Sequence, residues 1–366
     1  MKNKKQNKYR NPVVATFTGI REILRKQKPD CFLHDDDRLD GKTVLIDGAS
    51  SGLGFAVAIE IARRGARVIM ACRSGIPEKG ELVKKLTGNQ DIHMLQIDFS
   101  DISSIQHLAS RIQNQFSPID IYICNAAIVP KESRKTKQGL EEMFMVNYFS
   151  KFIFLNLLLE KGCFRQSALS SQQSAVGSRQ FSVDIRRPAF SIQHPASRII
   201  IVSSESHRNP EKFDWEGFGK YKDYGMQKTV ELYGYYKLLL TTFSRELSRR
   251  LNPDGETNIS VFSLCPGPIN SRIAREAPGI FKPLLSLVFY LFFKSPEKAG
   301  VPVIYLAASK ELEGKLFEYL FLMNRKEISP LAADPQNGKR LWEVSEKLRQ
   351  WMDYLDLPES AGSGRV

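Results

Sequence analysis

A regular alternation of short apolar runs and helix-like segments, which starts at residue 43, constrains the fold of this chain most. Continuous apolar strands that alternate with helices are typical of a parallel sheet covered by helices on both faces. We therefore predict an α/β fold, a doubly wound parallel sheet (Rossmann fold) flanked by helices, in a single domain. The predicted strands are 43–47, 66–72, 92–97, 119–124, 198–202, 259–264 and 316–322, and the predicted helices are 55–64, 76–86, 102–116, 140–159, 231–251, 271–293, 296–308 and 339–354.

Charge separates the domain from its ends. The formal net charge is +13, and residues 1–28 hold nine Lys or Arg residues against one Glu. We predict a basic N-terminal extension and linker over 1–40, one domain over 41–355 and a tail over 356–366. Residues 162–197 interrupt the alternation with a polar, serine-rich run, which is typical of a disordered surface insertion.

Two apolar segments indicate contact with a membrane surface. Residues 11–28 have the pattern of a basic amphipathic helix, which lies on a membrane or packs on the domain. Residues 283–293 are strongly apolar but shorter than the roughly 20 residues needed to cross a bilayer. We predict that 271–293 forms an apolar lid or, alternatively, a core helix. The five scattered cysteines predict neither a zinc site nor disulfides, so a cytoplasmic protein, or one held peripherally on the cytoplasmic side of a membrane, is expected.

A glycine-rich loop lies between the first predicted strand and the first predicted helix. Glycines let the backbone turn tightly and approach a pyrophosphate, which the free N–H groups and the dipole of a helix N-terminus stabilise. Because the loop has the strand–loop–helix context that such a site requires, it predicts dinucleotide binding. The predicted contacts are Gly48, Ser50, Ser51, Gly52, Leu53 and Gly54.

The second predicted strand ends in Ala71-Cys72-Arg73, with no acidic residue at its tip. A carboxylate at that position binds the ribose diol of NAD, whereas a guanidinium pairs with the 2′-phosphate of NADP. NADP(H) is therefore predicted in preference to NAD(H), with Arg73 as the contact. A solvated arginine after a strand is the alternative.

Tyr233 and Lys237 lie four residues apart on the predicted helix 231–251, so their side chains project from the same face. An ammonium held close to a phenol favours the phenolate and makes a tyrosine usable as a general acid or base near neutral pH. Tyr224 and Lys228 repeat this spacing upstream. Spacing alone therefore leaves two candidate pairs.

Six motifs, taken in order, resemble the motif series of the short-chain dehydrogenase/reductase family. They are Gly48-x-x-x-Gly52-x-Gly54, Cys124-Asn125-Ala126-Ala127, Asn147, Val202-Ser203-Ser204, Tyr233-x-x-x-Lys237 and Cys265-Pro266-Gly267-Pro268. The resemblance extends from about residue 41 to residue 348 and is strongest to the retinol dehydrogenase-like branch, through segments 198–207, 292–300, 311–314 and 341–348. Parts of the first half also resemble light-dependent protochlorophyllide reductases.

The resemblance implies roles for individual residues, and it favours Tyr233 with Lys237 over the upstream pair. It implies that Tyr233 exchanges a proton with the substrate oxygen, and that Lys237 lowers the pKa of Tyr233 and holds the nicotinamide ribose. Ser204, or alternatively Ser203, would hydrogen-bond the reacting oxygen. The remaining implied contacts are Asn147 on a water-linked proton path, Asp98 at the adenine, Asn125 and Ala126 along the cofactor cleft, and Pro266, Gly267 and Ile269 over the nicotinamide.

Two positions depart from the family pattern. Asp47 replaces the usual threonine and places a carboxylate behind the phosphate loop, where its charge is expected to disfavour a pyrophosphate. Ala127 replaces the usual glycine.

The resemblance implies an NADP(H)-dependent oxidoreductase that transfers a hydride between nicotinamide and a lipophilic alcohol or carbonyl, of retinoid, steroid or isoprenoid type. One alternative is a protochlorophyllide reductase-like enzyme, which is disfavoured because the insertion precedes Ser204 instead of following it. Another is a catalytically silent family member that acts as a binding scaffold. A homodimer is an allowed assembly, and no specific nucleic-acid partner is predicted.

Overall fold

An eight-stranded sheet forms the centre of the protein, whose structure, a computed structural model, describes residues 29–165, 196–267 and 295–355. Each of the seven predicted strands is present, with ends within two residues of those predicted. The strands are β1 (Thr43–Asp47), β2 (Arg67–Cys72), β3 (Ile92–Gln96), β4 (Ile121–Cys124), β5 (Ser197–Val202), β6 (Ile259–Cys265), β7 (Phe317–Phe321) and β8 (Asn324–Arg325).

Helices connect these strands and cover both faces of the sheet. They are α1 (Gly52–Arg63), α2 (Glu78–Thr87), α3 (Ile102–Gln115), α4 (Glu142–Glu160), α5 (Met226–Leu251), α6 (Pro296–Ala308), α7 (Pro330–Ala333) and α8 (Pro335–Leu355).

The strand order is β3-β2-β1-β4-β5-β6-β7-β8, with parallel pairing throughout except between β7 and β8. The order reverses between β1 and β4, so the loops that leave these two strands diverge to opposite faces of the sheet. In doubly wound sheets a ligand binds in the crevice at this switch point, outside the carboxyl ends of the strands. The predicted fold class is therefore confirmed.

Side chains alternate along β1, so this strand contributes to two cores. Leu45 is buried with residues of α3, α4 and α5, whereas Val44 and Ile46 are buried with residues of α1 and α6. Asp47 continues the alternation and directs its carboxylate to the α4 face, where it meets Lys151. This last residue of β1 therefore lies between the sheet and α4.

Helix α4 is long and apolar enough to span a membrane by composition, but 83% of its apolar window is buried inside the fold. A π-helical turn, Met145–Phe149, interrupts it near the sheet. Such turns are rare and are frequently found at functional sites. We therefore assign α4 as a core helix that carries part of the site described below.

Three helices begin earlier than the sequence pattern predicts, α1 by three residues and α5 and α8 by more. Helix α5 begins at Met226 instead of residue 231, because Met226 and Val230 are 47% and 48% exposed and give no amphipathic signal. Helix α8 begins at Pro335 instead of residue 339, because Gly338 lies inside it and allows close approach to Glu246. Strand β8 and helix α7 are too short to show a period and are not predicted.

The segment 30–40, predicted as a linker, packs against the domain instead. The backbone N–H groups of Asp30 and Cys31 both donate to the Met323 carbonyl, at 3.1 and 3.2 Å. Cys31 and Leu39 are buried. The domain therefore includes this segment, because its apolar side chains are buried in spite of its acidic composition.

The predicted insertion 162–197 also begins and ends within the domain. Cys163 is buried, Phe164 forms a parallel bridge with Ile119, and Ser197 is the first residue of β5. These ends are therefore core and not surface insertion. Several predicted features lie outside the described residues, namely the basic tail and amphipathic helix within 1–28, the serine-rich run over 166–195, Ile269, the apolar segments 271–293 and 283–293, and the tail 356–366.

Candidate active site

The glycine loop after β1 leads directly into α1 and fits a pyrophosphate. Gly48 and Gly52 have positive φ angles of 64° and 57°. A Cβ on Gly54 would lie 2.5 Å from the Gly48 carbonyl oxygen, so only glycine fits there. Ser51 precedes α1 without capping it through its side chain, so the first N–H groups of the helix remain for an anion. The predicted contacts Gly48, Ser50, Ser51, Gly52, Leu53 and Gly54 all lie on this turn.

Asp47 lies directly behind this loop, and its carboxylate is fully buried. Its Oδ1 accepts hydrogen bonds from the backbone N–H groups of Asn125 (2.6 Å) and Ala126. Its Oδ2 accepts from the Tyr122 hydroxyl (2.5 Å) and from the Lys151 ammonium (3.0 Å). Lys151 therefore forms a buried ion pair with Asp47, and the expectation that the Asp47 charge disfavours a pyrophosphate stays a prediction.

The segment that follows β4 forms one wall of the crevice. The Asn125 Nδ2 donates to the carbonyl oxygens of Asp47 (3.0 Å) and Gly48 (3.3 Å), which ties this wall to the glycine loop. Ala127, which replaces the family's glycine, follows on the same wall. Among the described non-glycine residues only Leu322 has a positive φ, so the Ala127 methyl group causes no backbone strain.

Ser204 and Tyr233 meet at the carboxyl edge of the sheet. Ser204 follows β5, Tyr233 lies on α5, and the Ser204 hydroxyl lies beside the Tyr233 phenol. Burial and the nearby Cys265 thiol raise the pKa of Tyr233 above its ordinary value, while the neighbouring Ser204 hydroxyl lowers it. The Ser204 Oγ accepts from the N–H (3.2 Å) and hydroxyl (2.9 Å) of Ser206, so its own proton is left to donate towards Tyr233.

Ser203, the alternative serine, has a different environment. Its hydroxyl lies 2.5 Å from Thr241 Oγ1, between β5 and α5, and its side chain is buried. Ser204 is half-buried and faces Tyr233. The geometry therefore favours Ser204 as the residue at the crevice.

Lys237 is buried one turn after Tyr233 on α5. Its Nζ donates to the Val202 carbonyl (2.8 Å) and lies 5.7 Å from the centroid of the Tyr233 ring. Burial lowers the pKa of Lys237 to about 8. Burial of the phenol raises the Tyr233 pKa, and the lowering expected from the Lys237 ammonium stays a prediction.

Asn147 lies in the π-helical turn of α4 and holds the far end of the crevice wall. Its Oδ1 accepts from the Ile128 N–H (2.8 Å), and its Nδ2 donates to the Ile128 carbonyl (2.9 Å). Asn147 is fully buried. The structure therefore brings Asn147, Ser204, Tyr233 and Lys237 to the same edge of the sheet.

Two basic side chains lie on the loop and helix that follow β2. Arg73 is exposed directly after the strand. Lys79, at the start of α2, was not identified from sequence; its ammonium lies 5.2 Å from the centroid of the Phe55 ring. A Cβ on Gly75 would lie 3.0 Å from Lys79 Cγ and 3.6 Å from Ser50 Cβ, so Lys79 and the glycine loop both flank this turn.

Three further predicted contacts lie at the rims of the crevice. Asp98 follows β3, and its Oδ1 accepts from both the N–H (2.9 Å) and the hydroxyl (2.7 Å) of Ser100. Pro266 is buried after β6, and Gly267 has a φ of 83°. A Cβ on Gly267 would lie 2.6 Å from Leu322 Cδ2, so this turn packs closely against the end of β7.

Tyr224 and Lys228, the competing pair, do not share a helix face. Tyr224 precedes α5 and is buried, with its hydroxyl donating to Glu141 Oε1 at 2.6 Å. Lys228 lies on α5 and is exposed. The structure therefore gives no support to this pair as a site.

His207 is a positioning residue that is not identified from sequence alone. Its Nε2 faces the Ser329 N–H (3.1 Å), which can only donate, so Nδ1 carries the proton and donates to the Ser204 carbonyl (2.6 Å). Burial lowers the pKa of His207 to about 4, so the ring is neutral near pH 7. The available signal is its place in Ser204-Glu205-Ser206-His207, directly after a predicted strand.

Comparisons with known proteins agree with this architecture. The family model described as short chain dehydrogenase matches residues 42–168. Retinol dehydrogenase 14 of Homo sapiens is 31% identical, with 85% of this chain and 87% of that protein covered. Retinol dehydrogenase 13 of Mus musculus is 31% identical, with 92% of each covered. The solved structure of an uncharacterized protein from Mycobacterium paratuberculosis is similar with a TM-score of 0.59 at 26% identity, covering 86% of this chain and 95% of that one.

These similarities extend over the whole sheet and not only over the glycine loop. They agree with the family resemblance that the six motifs carry. The chain therefore belongs to the short-chain dehydrogenase/reductase family, is most similar to its retinol dehydrogenase-like branch, and is an oxidoreductase that acts on CH–OH or C=O groups with a nicotinamide cofactor.

Proposed function

We propose that the protein is an NADP(H)-dependent oxidoreductase that interconverts a lipophilic alcohol and its carbonyl compound, of retinoid, steroid or isoprenoid type. The observation that carries the proposal is that the Ser204 hydroxyl and the Tyr233 phenol lie side by side at the carboxyl edge of the sheet, with Lys237 one turn further along α5. The nicotinamide, when bound, supplies or accepts the hydride.

In this proposal Tyr233 transfers the proton. It protonates the carbonyl oxygen during reduction and accepts the hydroxyl proton during oxidation, which is general acid–base catalysis. Ser204 donates a hydrogen bond to the same oxygen, since Ser206 already occupies the acceptor side of its Oγ. Lys237 lies 5.7 Å from the centroid of the Tyr233 ring, where its ammonium would favour the phenolate and would hold the nicotinamide ribose. Asn147 supports a water-linked proton path behind Lys237.

Two cations support the preference for NADP(H). The 2′-phosphate carries negative charge next to the adenosine ribose, and Arg and Lys both pair with phosphate oxygens. Arg73 is exposed at the end of β2, and Lys79 flanks the turn that also contacts Ser50. Asp98 and Asn125 would then line the adenine side and the centre of the crevice.

The surface of α5 next to Tyr233 supports a lipophilic substrate. Met226 and Val230 lie seven and three residues before Tyr233, so all three occupy one face of the helix. Both apolar side chains are about half exposed. Relatives named retinol dehydrogenases point to the same substrate class. We extend the proposal to a lid formed by 271–293 and to peripheral membrane contact through 11–28.

A titration and a turnover assay test the proposal together. NADPH and NADH are titrated by fluorescence, and turnover is then followed with lipophilic aldehydes and alcohols, in the dark and in light, with a water-soluble aldehyde as control. We expect tighter binding of NADPH and dark turnover of the lipophilic compounds. Absence of cofactor binding would favour the scaffold, turnover only in light would favour the protochlorophyllide reductase-like enzyme, and preference for the water-soluble aldehyde would contradict the substrate class.

A further inference from the structure

We propose that Lys151 is a positioning residue for cofactor binding, which acts by forming a buried ion pair with Asp47 behind the phosphate loop. The pair holds the crevice wall against β1 and balances the Asp47 carboxylate with a buried ammonium beneath the N-terminus of α1. The proposal rests on cofactor binding at the glycine loop and does not depend on a preference for NADP(H).

The first step is the geometry of the carboxylate. Asp47 Oδ1 accepts the N–H groups of Asn125 and Ala126, the first residues of the crevice wall. Its Oδ2 accepts from Tyr122 and Lys151. A carboxylate with four donors is acting as an acceptor on both oxygens, which is the behaviour of the ionised form. The charge of Asp47 therefore helps to hold this wall in place.

The second step is the place of the two supports on one helix. Lys151 follows Asn147 by four residues, so both side chains leave the same face of α4. Asn147 holds Ile128 at the far end of the wall, and Lys151 acts at the near end through Asp47. A single helix face therefore fixes both ends of the segment that lines the cofactor crevice.

The third step is electrostatic. The side chains of Lys151 and Asp47 are 1% and 0% exposed, so neither charge is screened by water. The ammonium also lies over the face of Phe99, 3.4 Å from the ring centroid. Removing Lys151 would leave a buried negative charge behind the site where the α1 N-terminus binds a pyrophosphate. Removing Asp47 would leave a positive charge there instead.

The two single substitutions should therefore leave opposite charges behind the phosphate loop and should differ in their effect on nucleotide affinity. Asp47→Thr keeps one acceptor for the wall N–H groups, as in the usual family pattern, and leaves the ammonium. Lys151→Met keeps the carboxylate and removes its counter-charge. Asp47→Thr/Lys151→Met removes both charges. Lys42→Met is a matched control, because Lys42 pairs with Asp120 at the opposite edge of the sheet (3.6 Å).

NADPH and NADH are titrated against each variant by fluorescence, and thermal unfolding is measured without nucleotide. We expect Lys151→Met to bind both nucleotides at least about tenfold more weakly, because the unpaired carboxylate repels the pyrophosphate. Asp47→Thr should lower the unfolding midpoint without weakening either nucleotide. The double variant should return to within about threefold of the unsubstituted protein, and Lys42→Met should not change binding.

Equal weakening by the two single substitutions would overturn the proposal, since a purely structural pair predicts that result. Normal nucleotide affinity of folded Lys151→Met would overturn it as well. If Lys151→Met does not fold, the double variant decides. The proposal requires it to unfold at a higher temperature than Asp47→Thr, and a midpoint at or below that of Asp47→Thr contradicts the ion pair.

Discussion

Two buried carboxylates join β1 to β4 at opposite edges of the sheet, and their surroundings differ. At the amino edge Asp120 accepts a hydrogen bond from the Thr43 N–H (2.9 Å). It also pairs with Arg165 (2.9 Å) and, at the longer distance of 3.6 Å, with Lys42. The side chain of Arg165 is 33% exposed and that of Lys42 is 27% exposed. At the carboxyl edge Asp47 pairs with Lys151 out of contact with water.

The difference separates a contact that contributes to stability from one that we propose contributes to cofactor binding. A cation that remains partly hydrated loses little hydration free energy on pairing, so its removal has a small effect on stability. In a fully buried pair, removal of either partner leaves an uncompensated charge. The buried polar groups of the carboxyl edge include Lys237, His207 and Asn147 as well. In doubly wound sheets this is the edge that binds the ligand. The contacts between β1 and β4 therefore contribute to stability at the amino edge, and at the carboxyl edge they lie beside the candidate active site.

The largest expected effect at the carboxyl edge is that of Tyr233→Phe. Loss of the proton donor should lower kcat by about a thousandfold, while NADPH affinity measured by fluorescence stays unchanged. Tyr224→Phe is the control, since Tyr224 bonds Glu141 away from the crevice and its loss should leave turnover largely intact. Full activity of Tyr233→Phe together with an inactive Tyr224→Phe would move the assignment to the upstream tyrosine.

His207 should make the folded protein sensitive to acid. Its pKa is about 4 when folded against 6.5 as the ordinary value, so between these pH values the unfolded chain takes up a proton that the folded chain does not. Stability that is present above pH 6.5 is therefore lost as pH falls towards 4, by about 3 kcal/mol over the window. Urea unfolding at pH 7, 5.5 and 4.5 measures this loss. His207→Gln should lose less on acidification, and an unchanged slope in that variant would contradict the assignment.

At the amino edge, Asp120→Ala should affect stability without affecting chemistry. The substitution removes the acceptor of the Thr43 N–H and the partner of Arg165, which should lower the free energy of unfolding by about 2 kcal/mol. Turnover per folded molecule and NADPH affinity should stay at their original values. A loss of nucleotide affinity without a loss of stability would show that the two edges are not separate in function.

The smallest expected effect contrasts the two ends of β2. Arg73→Ala, at the carboxyl edge, should weaken NADPH about tenfold and leave NADH unchanged, because only NADPH carries the 2′-phosphate. Arg67→Ala is the control at the amino edge, where Arg67 pairs with Asp91 at 3.0 Å and both side chains are partly exposed. Equal weakening of NADPH and NADH by Arg73→Ala would contradict a 2′-phosphate contact.

Sequence predicts the sheet well because its strands are buried on both faces. Along β1, Val44, Leu45 and Ile46 are all inaccessible, so the strand appears as an unbroken apolar run. Helix starts are less predictable where the first turn is exposed, as at Met226 on α5. The segment around Cys31 is misread for the opposite reason, because a few buried side chains decide its place in spite of acidic neighbours.

Sequence predicts the residue types of the candidate site well, but it predicts less well which way each side chain points. Which of Ser203 and Ser204 faces the crevice depends on Thr241, and such a contact across elements leaves no local pattern. Asp47 is visible as an exception to the family pattern, but its partner lies 104 residues away on another element. A buried carboxylate does require a cation or several donors, and that requirement is the signal that points towards Lys151.

The turn between β7 and β8 connects two distant parts of the chain. Leu322 packs its side chain against Gly267, where the segment assigned to cover the nicotinamide begins. The next residue, Met323, accepts the N–H groups of Asp30 and Cys31. Two adjacent residues of one turn therefore join the segment at residues 30–31 to the end of the segment that follows β6. Under the proposed membrane contact through residues 11–28, a displacement of that segment would reach Gly267 through this turn.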